Sequence, residues 1–198
     1  RYMHTTGASA FFALIYLHMF RGMMYGSYQK PRELLWVLGW ITYVLLCALG
    51  FTGYVLPWGQ MSFWAAQVIL SLVGSIPFFG EELLTWIRGD YLISGITLNR
   101  LFAFHVVLLP LALIAVVFVH ILALHEVGSN NPDGVDVKKF KDDDGVPLDT
   151  KPFFPYDVMH DLYAIGVFLI FFVTIMFFYP DGGGYVIEYV NYEAADNL

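Results

Sequence analysis

Four of the six histidines lie inside long apolar stretches, where an ionisable side chain is costly and marks a functional candidate. His4 and His18 are 14 residues apart in one stretch, and His105 and His120 are 15 residues apart in another. At about 100° per residue, the members of these pairs lie about 40° and about 60° apart around a helix axis. At about 1.5 Å per residue, they are roughly 21 and 22 Å apart along that axis. Each helix therefore carries one histidine near each end of a membrane span, on a shared face.

The chemistry that suits two such pairs is axial ligation of two planar haems. Neutral imidazole is a good iron ligand, and haem with two axial histidines is a common electron-transfer centre. Zinc or copper would need three or four ligands gathered at one point, and these pairs do not gather. Because both helices are expected to run from the outer side inward, we predict one outer pair, His4 with His105, and one inner pair, His18 with His120. The alternative is a structural or proton-relaying role for membrane histidines, which needs no haem.

Two glycines and two arginines are placed to serve the same sites. Gly39 and Gly53 are 14 residues apart in the second apolar stretch, the interval of the first histidine pair. Glycine leaves room for a haem edge, although close helix packing explains these glycines better when they are taken alone. Arg1 and Arg21 each lie three residues from a histidine. They are candidates to pair with haem propionates, or they reach toward the membrane surface and set topology.

The composition indicates a membrane protein. Apolar residues make up 58% of the 198 residues and charged residues 14%, with a mean hydropathy of +0.63, whereas globular proteins carry about 25% charged residues. A span of ~30 Å of hydrocarbon takes roughly 20 helical residues, and four stretches approach that length: about 3–24, 34–56, 98–124 and 162–178. Because a backbone in lipid must satisfy its own hydrogen bonds, these stretches are predicted helices. The predicted fold is all-α, a transmembrane four-helix bundle that binds haem.

The segments between the spans have distinct compositions. Residues 58–99 are moderately apolar but interrupted, which predicts short amphipathic helices at the membrane interface. Residues 128–155 read as a solvated polar loop, and seven of the ten Lys and Arg residues lie on its side of the membrane. That side is therefore the cytoplasm or matrix. We expect residues 1–180 to form the haem-binding bundle and residues 181–198 an outer-side loop that leads to a missing C-terminal half.

Charge and cysteine content exclude two other classes of protein. The net charge is −7, with no basic patch of the kind that nucleic acid requires. Cys47 is the only cysteine, so the chain forms no internal disulfide and no cysteine-based metal cluster.

Several runs of residues resemble cytochrome b of the ubiquinol–cytochrome c reductase complex. The most specific is G-Y-V-L-P-W-G-Q-M-S-F-W at residues 53–64. The runs R-Y-M-H, H-M-F-R-G, G-S-Y and the stretch from His120 to Pro132 are also similar to that family. The resemblance covers nearly the whole chain in order and implies helices B, C, D and E of the family's N-terminal half. We interpret the chain as a fragment without helix A and without the C-terminal half.

The resemblance implies a role for each candidate around the haems. His4 and His105 correspond to ligands of an outer, low-potential b-type haem. His18 and His120 correspond to ligands of an inner, high-potential one. Arg1 and Arg21 match positions near the haem propionates.

The resemblance also implies two quinone sites. The residues that match the inner, quinone-reducing site are His125, Ser129, His160 and Asp161, with His160 standing where the family usually has lysine. The residues that match one wall of the outer, quinol-oxidising site are Phe51, Tyr54, Trp64 and Ala65. Many family members have glycine at the last of these positions. Our hypothesis is that the alanine methyl gives resistance to methoxyacrylate-type inhibitors.

The spacing of the second histidine pair departs from the respiratory pattern. Respiratory members usually space this pair by 14 residues, whereas the chloroplast-type cytochrome b uses 15, as here. Pro110 follows His105 by five residues, where the respiratory pattern has four. The extra residue therefore lies between them. We predict that a local π-bulge or kink near Pro110 absorbs it.

The family implies a subunit of an oxidoreductase in the respiratory chain. Quinol is oxidised outside, one electron passes through a Rieske iron–sulfur protein and a cytochrome c1-type subunit, and the other crosses through both haems to reduce quinone inside. We expect ubiquinol and ubiquinone as substrates, a homodimeric complex, and a multi-pass protein of the bacterial inner membrane, with the mitochondrial inner membrane as the alternative. The fragment alone is not expected to turn over. A chloroplast-type cytochrome b, and a haem-free scaffold or proton-relay protein, stay open as rivals.

Overall fold

Helices follow one another along the computed structural model, which describes residues 1–136, 139–148 and 150–180. In chain order they are α1 (Tyr2–Met24), α2 (Glu33–Val55), α3 (Gln60–Gly74), α4 (Gly80–Arg88), α5 (Gly95–Ala103), a π-helical turn (Phe104–Leu108), α6 (Leu109–Val127), a second π-helical turn (Phe153–Asp157) and α7 (Val158–Phe178). Within the described ranges the only β pairing is an isolated bridge between Lys141 and Pro147. The all-α fold is therefore confirmed. Residues 181–198, predicted to form the outer-side loop, lie outside the described residues.

Among the described residues, three helical stretches are long and apolar enough to cross a membrane: Glu33–Val55, Gly95–Val127 and Phe153–Phe178. Their apolar side chains remain largely exposed, as Ile114 at 66% and Phe171 at 65% illustrate. In water such exposure would be unfavourable, whereas lipid solvates these side chains. These helices match the second and third predicted spans, about 34–56 and 98–124, to within a few residues at each end. The helix of the fourth predicted span, about 162–178, ends where predicted but begins earlier, at Phe153.

Helix α1 covers the remaining predicted span with 23 residues. It is long enough to cross about 30 Å of hydrocarbon at about 1.5 Å per residue. It is not among the helices that also meet the hydropathy expected of a span. The reason is its polar content, which includes two histidines and Arg21. Its membrane crossing therefore stays a prediction.

Residues 37–122 form one compact unit. Its core joins the end of α2 to α3, α4 and α5 through six buried apolar side chains: Val55, Ala66, Leu70, Leu84, Ile93 and Leu101. Full burial of a side chain of this size stabilises a fold by roughly 1.5–3 kcal/mol. Helices α3 and α4 confirm that short helices fill the segment 58–99, and their placement at the membrane interface stays a prediction.

The connection between α4 and α5 is fixed by local hydrogen bonds. Gly89 ends α4 in the left-handed conformation with φ +74°, which glycine adopts without strain. Ser94 and Thr97 form a reciprocal capping box at the start of α5. The Thr97 hydroxyl also donates to the Arg88 carbonyl at 2.9 Å. These bonds set where the long helix that carries His105 begins.

Residues 1–36 and 123–180 form the second compact unit. Here α1 packs against α7, and the loops at the ends of α1 and α6 are tied together. The Asn130 amide donates to the Tyr25 carbonyl at 2.8 Å and to the Ser27 hydroxyl at 3.1 Å. This tie positions the chain directly after α6, where the candidate quinone-site residue Ser129 lies.

Candidate functional site

His105 is held in one orientation by the backbone of α2. Its Nδ1 lies 2.9 Å from the carbonyl oxygen of Leu49 and 3.4 Å from the hydroxyl of Thr52. A carbonyl only accepts hydrogen bonds, so Nδ1 carries the hydrogen and the lone pair belongs to Nε2. A metal-ligating histidine typically donates its other ring N–H to such a group, which fixes its tautomer and ring orientation. His105 is therefore arranged as an Nε2 ligand.

Thr52 occupies a second position on the same face of α2. Its hydroxyl donates to the carbonyls of Ala48 and Leu49 at 2.9 and 3.0 Å. With its hydrogen committed to those carbonyls, the hydroxyl oxygen presents a lone pair to the Nδ1–H of His105. Thr52 is 5% exposed, so water does not compete for this contact.

The two glycines of α2 face the two histidine rings of the Gly95–Val127 helical stretch. A Cβ on Gly53 would lie 2.5 Å from Cε1 of His105 and 2.9 Å from its Nδ1. A Cβ on Gly39 would lie 3.3 Å from Cε1 of His120. Each glycine therefore leaves the space that an imidazole ring uses, at two levels of the helix. The residues present therefore fit a ligand role for His105 and His120, because side chains at 39 and 53 would crowd these two rings.

His18 has a different environment at the other end of α1. The guanidinium of Arg21 donates to Nδ1 of His18 at 3.1 Å. Because arginine only donates, Nδ1 accepts and the ring hydrogen belongs to Nε2 in this arrangement. Ligation through Nε2 requires the other tautomer, which forms once an anion draws Arg21 away from the ring. The predicted pairing of Arg21 with a propionate would do this.

His4 lies in the first turn of α1, and Arg1 is the residue that caps this helix. Both side chains are exposed. Their spacing along the helix is the predicted one. Their roles as haem ligand and propionate partner stay predictions, as do the pairings of His4 with His105 and of His18 with His120.

The residues predicted to form the quinone-reducing site occupy two helix ends. His125 lies in the last turn of α6, and Gly128 turns the chain away with φ +78°. Arg32 then donates to the carbonyls of Gly128 and Ser129, both at 3.4 Å. Nothing in the sequence predicted this contact, because Arg32 was interpreted only as a charge that sets the topology.

His160 and Asp161 begin α7, in its first turn. Both side chains are exposed. Their roles at the quinone-reducing site stay predictions.

The residues predicted to form one wall of the quinol-oxidising site meet where α2 ends and α3 begins. The Ser62 hydroxyl donates to the Tyr54 carbonyl at 2.7 Å and ties the two helices. Phe51 packs against the apolar core of this unit. The Trp64 indole donates to the Gln60 amide at 3.1 Å, and its ring stays 55% exposed. Ala65 is half-buried beside it. Phe51 therefore anchors this wall to the apolar core, and the Trp64 ring remains accessible on the surface.

The sequence of residues 1–128 matches the protein-family model described as Cytochrome b/b6/petB. The chain belongs to the cytochrome b family. Cytochrome b of Allochromatium vinosum is 54% identical over 202 residues, covering 100% of this chain and 49% of that protein. Cytochrome b of Rickettsia typhi is 48% identical over 190 residues, covering 96% of this chain and 46% of that protein. The chain spans about half the length of these curated relatives.

A solved structure described as a hyperthermophilic respiratory complex III contains a similar chain. The match has a TM-score of 0.85 at 35% identity and covers 100% of this chain and 51% of the other. The resemblance inferred from the sequence motifs is thereby confirmed, together with the helical membrane fold. Membership of the cytochrome b family implies an integral membrane protein that binds haem. The number of haems and their individual ligands are proposals.

Three groups that contact His105 or Ser129 were not predicted from the sequence. The Leu49 carbonyl leaves no trace in a sequence, because every residue has one. Thr52 did carry a signal, since it is a hydroxyl beside Gly53 in an otherwise apolar helix. Arg32 was visible as a charge at the start of a span, but its hydrogen bonds depend on how the chain turns after α6.

Proposed function

We propose that the chain is the di-haem electron-transfer subunit of a ubiquinol–cytochrome c reductase. In this proposal His4 and His105 are the axial ligands of the outer, low-potential haem, and His18 and His120 are those of the inner, high-potential haem. The observation that carries the proposal is the pair of glycine–histidine contacts, Gly53 with His105 and Gly39 with His120. Close packing of helices would place small residues against a neighbouring backbone, whereas these glycines face imidazole rings.

The chain's own residues orient and charge-balance the two sites. Leu49 and Thr52 hold the His105 ring so that its Nε2 lone pair is available for a metal. Arg21 and Arg1 supply cations that pair with carboxylates at the two membrane faces. Haem, when bound at both levels, supplies reversible one-electron transfer, and the protein tunes it through axial ligands, burial and hydrogen bonds.

Two quinone sites complete the proposed activity, which is the Q cycle of the respiratory chain. Reduction of a quinone consumes protons on the inner side, so the site needs hydrogen-bond donors and a proton supply. His125, Ser129 and Asp161 meet that need, and His160 replaces the usual lysine as a nearby proton carrier. On the outer side, Phe51, Tyr54, Trp64 and Ala65 form one wall of the quinol pocket.

The proposed partners follow from the solved relative, whose description names respiratory complex III. They are a Rieske iron–sulfur protein, a cytochrome c1-type subunit and a second copy of the complex in a homodimer. Allochromatium and Rickettsia relatives support placement in a bacterial inner membrane. The family model also includes b6-type proteins. The 15-residue histidine interval favours the chloroplast-type alternative, whose substrate would be plastoquinol, and identification of the bound quinone distinguishes the two.

The test is a count of haems in the intact, membrane-embedded protein. Pyridine haemochrome quantitation and a reduced-minus-oxidised spectrum should show two b-type haems per chain. His4→Ala and His105→Ala should each remove the same haem, and His18→Ala and His120→Ala the other. His125→Ala is the matched control, since it lies outside both pairs and should leave both haems. Absence of haem in the folded wild-type protein would refute the proposal and favour a haem-free proton-relay or scaffold protein.

A further inference from the structure

The π-helical turn at Phe104–Leu108 lies directly at His105. It confirms the predicted bulge between His105 and Pro110. At this turn the N–H of Leu109 donates to the carbonyl of Phe104, five residues back instead of four. Such a turn adds one residue to a helix while barely rotating the residues that follow.

Regular helices would give the histidine pairs different angular intervals. In a uniform α-helix, 14 steps end about 40° short of a whole number of turns, and 15 steps end about 60° beyond one. The pair on the α6 stretch would then be out of phase with the pair on α1 by about 100°. It would be equally out of phase with Gly39 and Gly53, which are also 14 residues apart on the regular helix α2.

The π-helical turn removes most of that difference. If five residues share the rotation of four, each step from His105 to Leu109 turns by about 80°, and the interval to His120 ends about 20° short of whole turns. It then agrees with the 14-residue intervals to within about 20°. Without the turn, His105 would rotate by about 80° around the helix, and its ring would move by roughly 7 Å.

The contacts of both rings show that the phase is in fact restored. His120 faces Gly39 and His105 faces Gly53, although the histidines are 15 residues apart and the glycines 14. The same orientation brings Nδ1 of His105 to the Leu49 carbonyl at 2.9 Å. A displacement of several ångströms would break all of these contacts at the outer level.

Pro110 explains why the wide turn forms at this place. Proline has no N–H, so the carbonyl of Val106 would lack its usual donor in a regular α-helix. The proline ring also clashes with the carbonyl four residues earlier. Opening the turn that precedes Pro110 relieves both problems where one residue has to be absorbed.

We propose that this π-helical turn is a register device that sets the orientation of His105, so that a 15-residue pair ligates two haems with the geometry of a 14-residue pair. The inference rests on the proposed di-haem function. It makes Pro110 and the residues of the turn positioning residues, since they act through His105. It also means that the extra residue between His105 and His120 does not change the relative orientation of the two rings, because the π-helical turn absorbs it.

Single-residue deletions test the proposal in the intact membrane-embedded protein. Deletion of Val107 shortens the interval to 14 and removes the need for the π-helical turn. We expect that variant to keep two haems per chain, with unchanged g-values in the electron paramagnetic resonance spectrum of the oxidised haems. Those g-values report the orientation of the axial imidazole planes and would not respond to a loss of general stability.

Deletion of Ala13 is the matched control, because it removes one residue from the regular helix α1 between His4 and His18. With no wide turn to absorb the change, this variant should fall from two haems to one or none. A second variant combines deletion of Val107 with Pro110→Ala, so that proline is not forced into an unbroken helix.

The outcomes separate this inference from the proposed function. Absence of haem in the wild-type protein defeats both. Two haems in the wild type, with fewer in both Val107-deletion variants, defeats the register device and leaves the di-haem function standing. Two haems in the Ala13 deletion would also defeat it, because the interval would then be unconstrained.

Discussion

A single methyl group at position 53 is expected to disrupt the outer haem site. A Cβ there would lie 2.5 Å from Cε1 of His105, whereas non-bonded carbon atoms pack at about 3.5–4.0 Å. The His105 ring would therefore have to retreat from α2 by about 1 Å. Its hydrogen bond to the Leu49 carbonyl is already 2.9 Å long, and that carbonyl lies on the same face of α2. The retreat would stretch that bond to about 3.9 Å, which is too long for a hydrogen bond.

The free-energy terms of Gly53→Ala oppose one another. Alanine gains about 1 kcal/mol over glycine in a helix interior. Against that stand about 1–3 kcal/mol for overpacking and about 1 kcal/mol for the lost hydrogen bond. We expect a net destabilisation of about 1–3 kcal/mol, concentrated at His105. The consequence for function is larger than that figure suggests, because the ligand loses the contact that fixes its tautomer.

Two further glycines provide a graded comparison. Gly39→Ala would bring a Cβ to 3.3 Å from His120, which a shift of a few tenths of an ångström relieves. Gly166→Ala on α7 meets nothing within 4 Å. Haem content and potentiometric titration should show loss or a shifted potential of the outer haem in Gly53→Ala, a smaller change of the inner haem in Gly39→Ala, and no change in Gly166→Ala. Wild-type haem content and potentials in Gly53→Ala would refute the reasoning.

Three other substitutions probe single contacts. Thr52→Val keeps the shape but removes the hydroxyl at 3.4 Å from His105, so redox titration should show a shifted outer haem and an unchanged inner one. Arg21→Gln removes a cation beside His18; the inner potential should fall, because the oxidised haem is less disfavoured, and an equal or higher potential contradicts this. Ala65→Gly in the intact enzyme should increase inhibition by methoxyacrylate-type compounds, and an unchanged titration curve would disprove the resistance hypothesis.

The helices themselves were accessible from the sequence. The second span was predicted as 34–56 and is observed as Glu33–Val55, because an uninterrupted apolar run followed by Pro57 leaves little freedom. The π-helical turn was also predictable, since one surplus residue before a proline has to be absorbed locally. The capping box at Ser94 was not foreseen, because Thr97 stands where glutamate or glutamine usually signals that motif.

The orientation of each ring was beyond sequence reasoning. Spacing placed His105 on a helix face, but the Leu49 carbonyl decides its tautomer, and main-chain oxygens are not distinguished by residue type. The contact of Arg21 with His18 was within reach, since residues three apart are neighbours on a helix. What the spacing could not tell is which ring nitrogen receives that bond.

The surroundings of His105 and His18 differ, and this difference supports the proposed order of the two haem potentials. His105 donates to a neutral carbonyl, which makes its ring more electron-rich and favours the oxidised state of a metal that it ligates. Arg21 lies one helical turn from His18, so its cation remains near that level when a propionate, and not the ring, is its partner. A unit charge within several ångströms is worth about 2 kcal/mol at an effective dielectric of ~20, or roughly 90 mV for a one-electron couple. A cation disfavours the oxidised, more positive metal and raises the potential.

These two effects would act in the same direction, toward a low potential at the His105 level and a high one at the His18 level, whereas Arg1 beside His4 would raise the outer potential as Arg21 raises the inner one. Electrons would then pass downhill from the outer to the inner side, against a membrane potential that is negative inside. The field opposes that passage by about 2.3 kcal/mol per 100 mV for a full crossing. The electrostatic energy of one nearby unit charge, about 2 kcal/mol, is comparable to that cost.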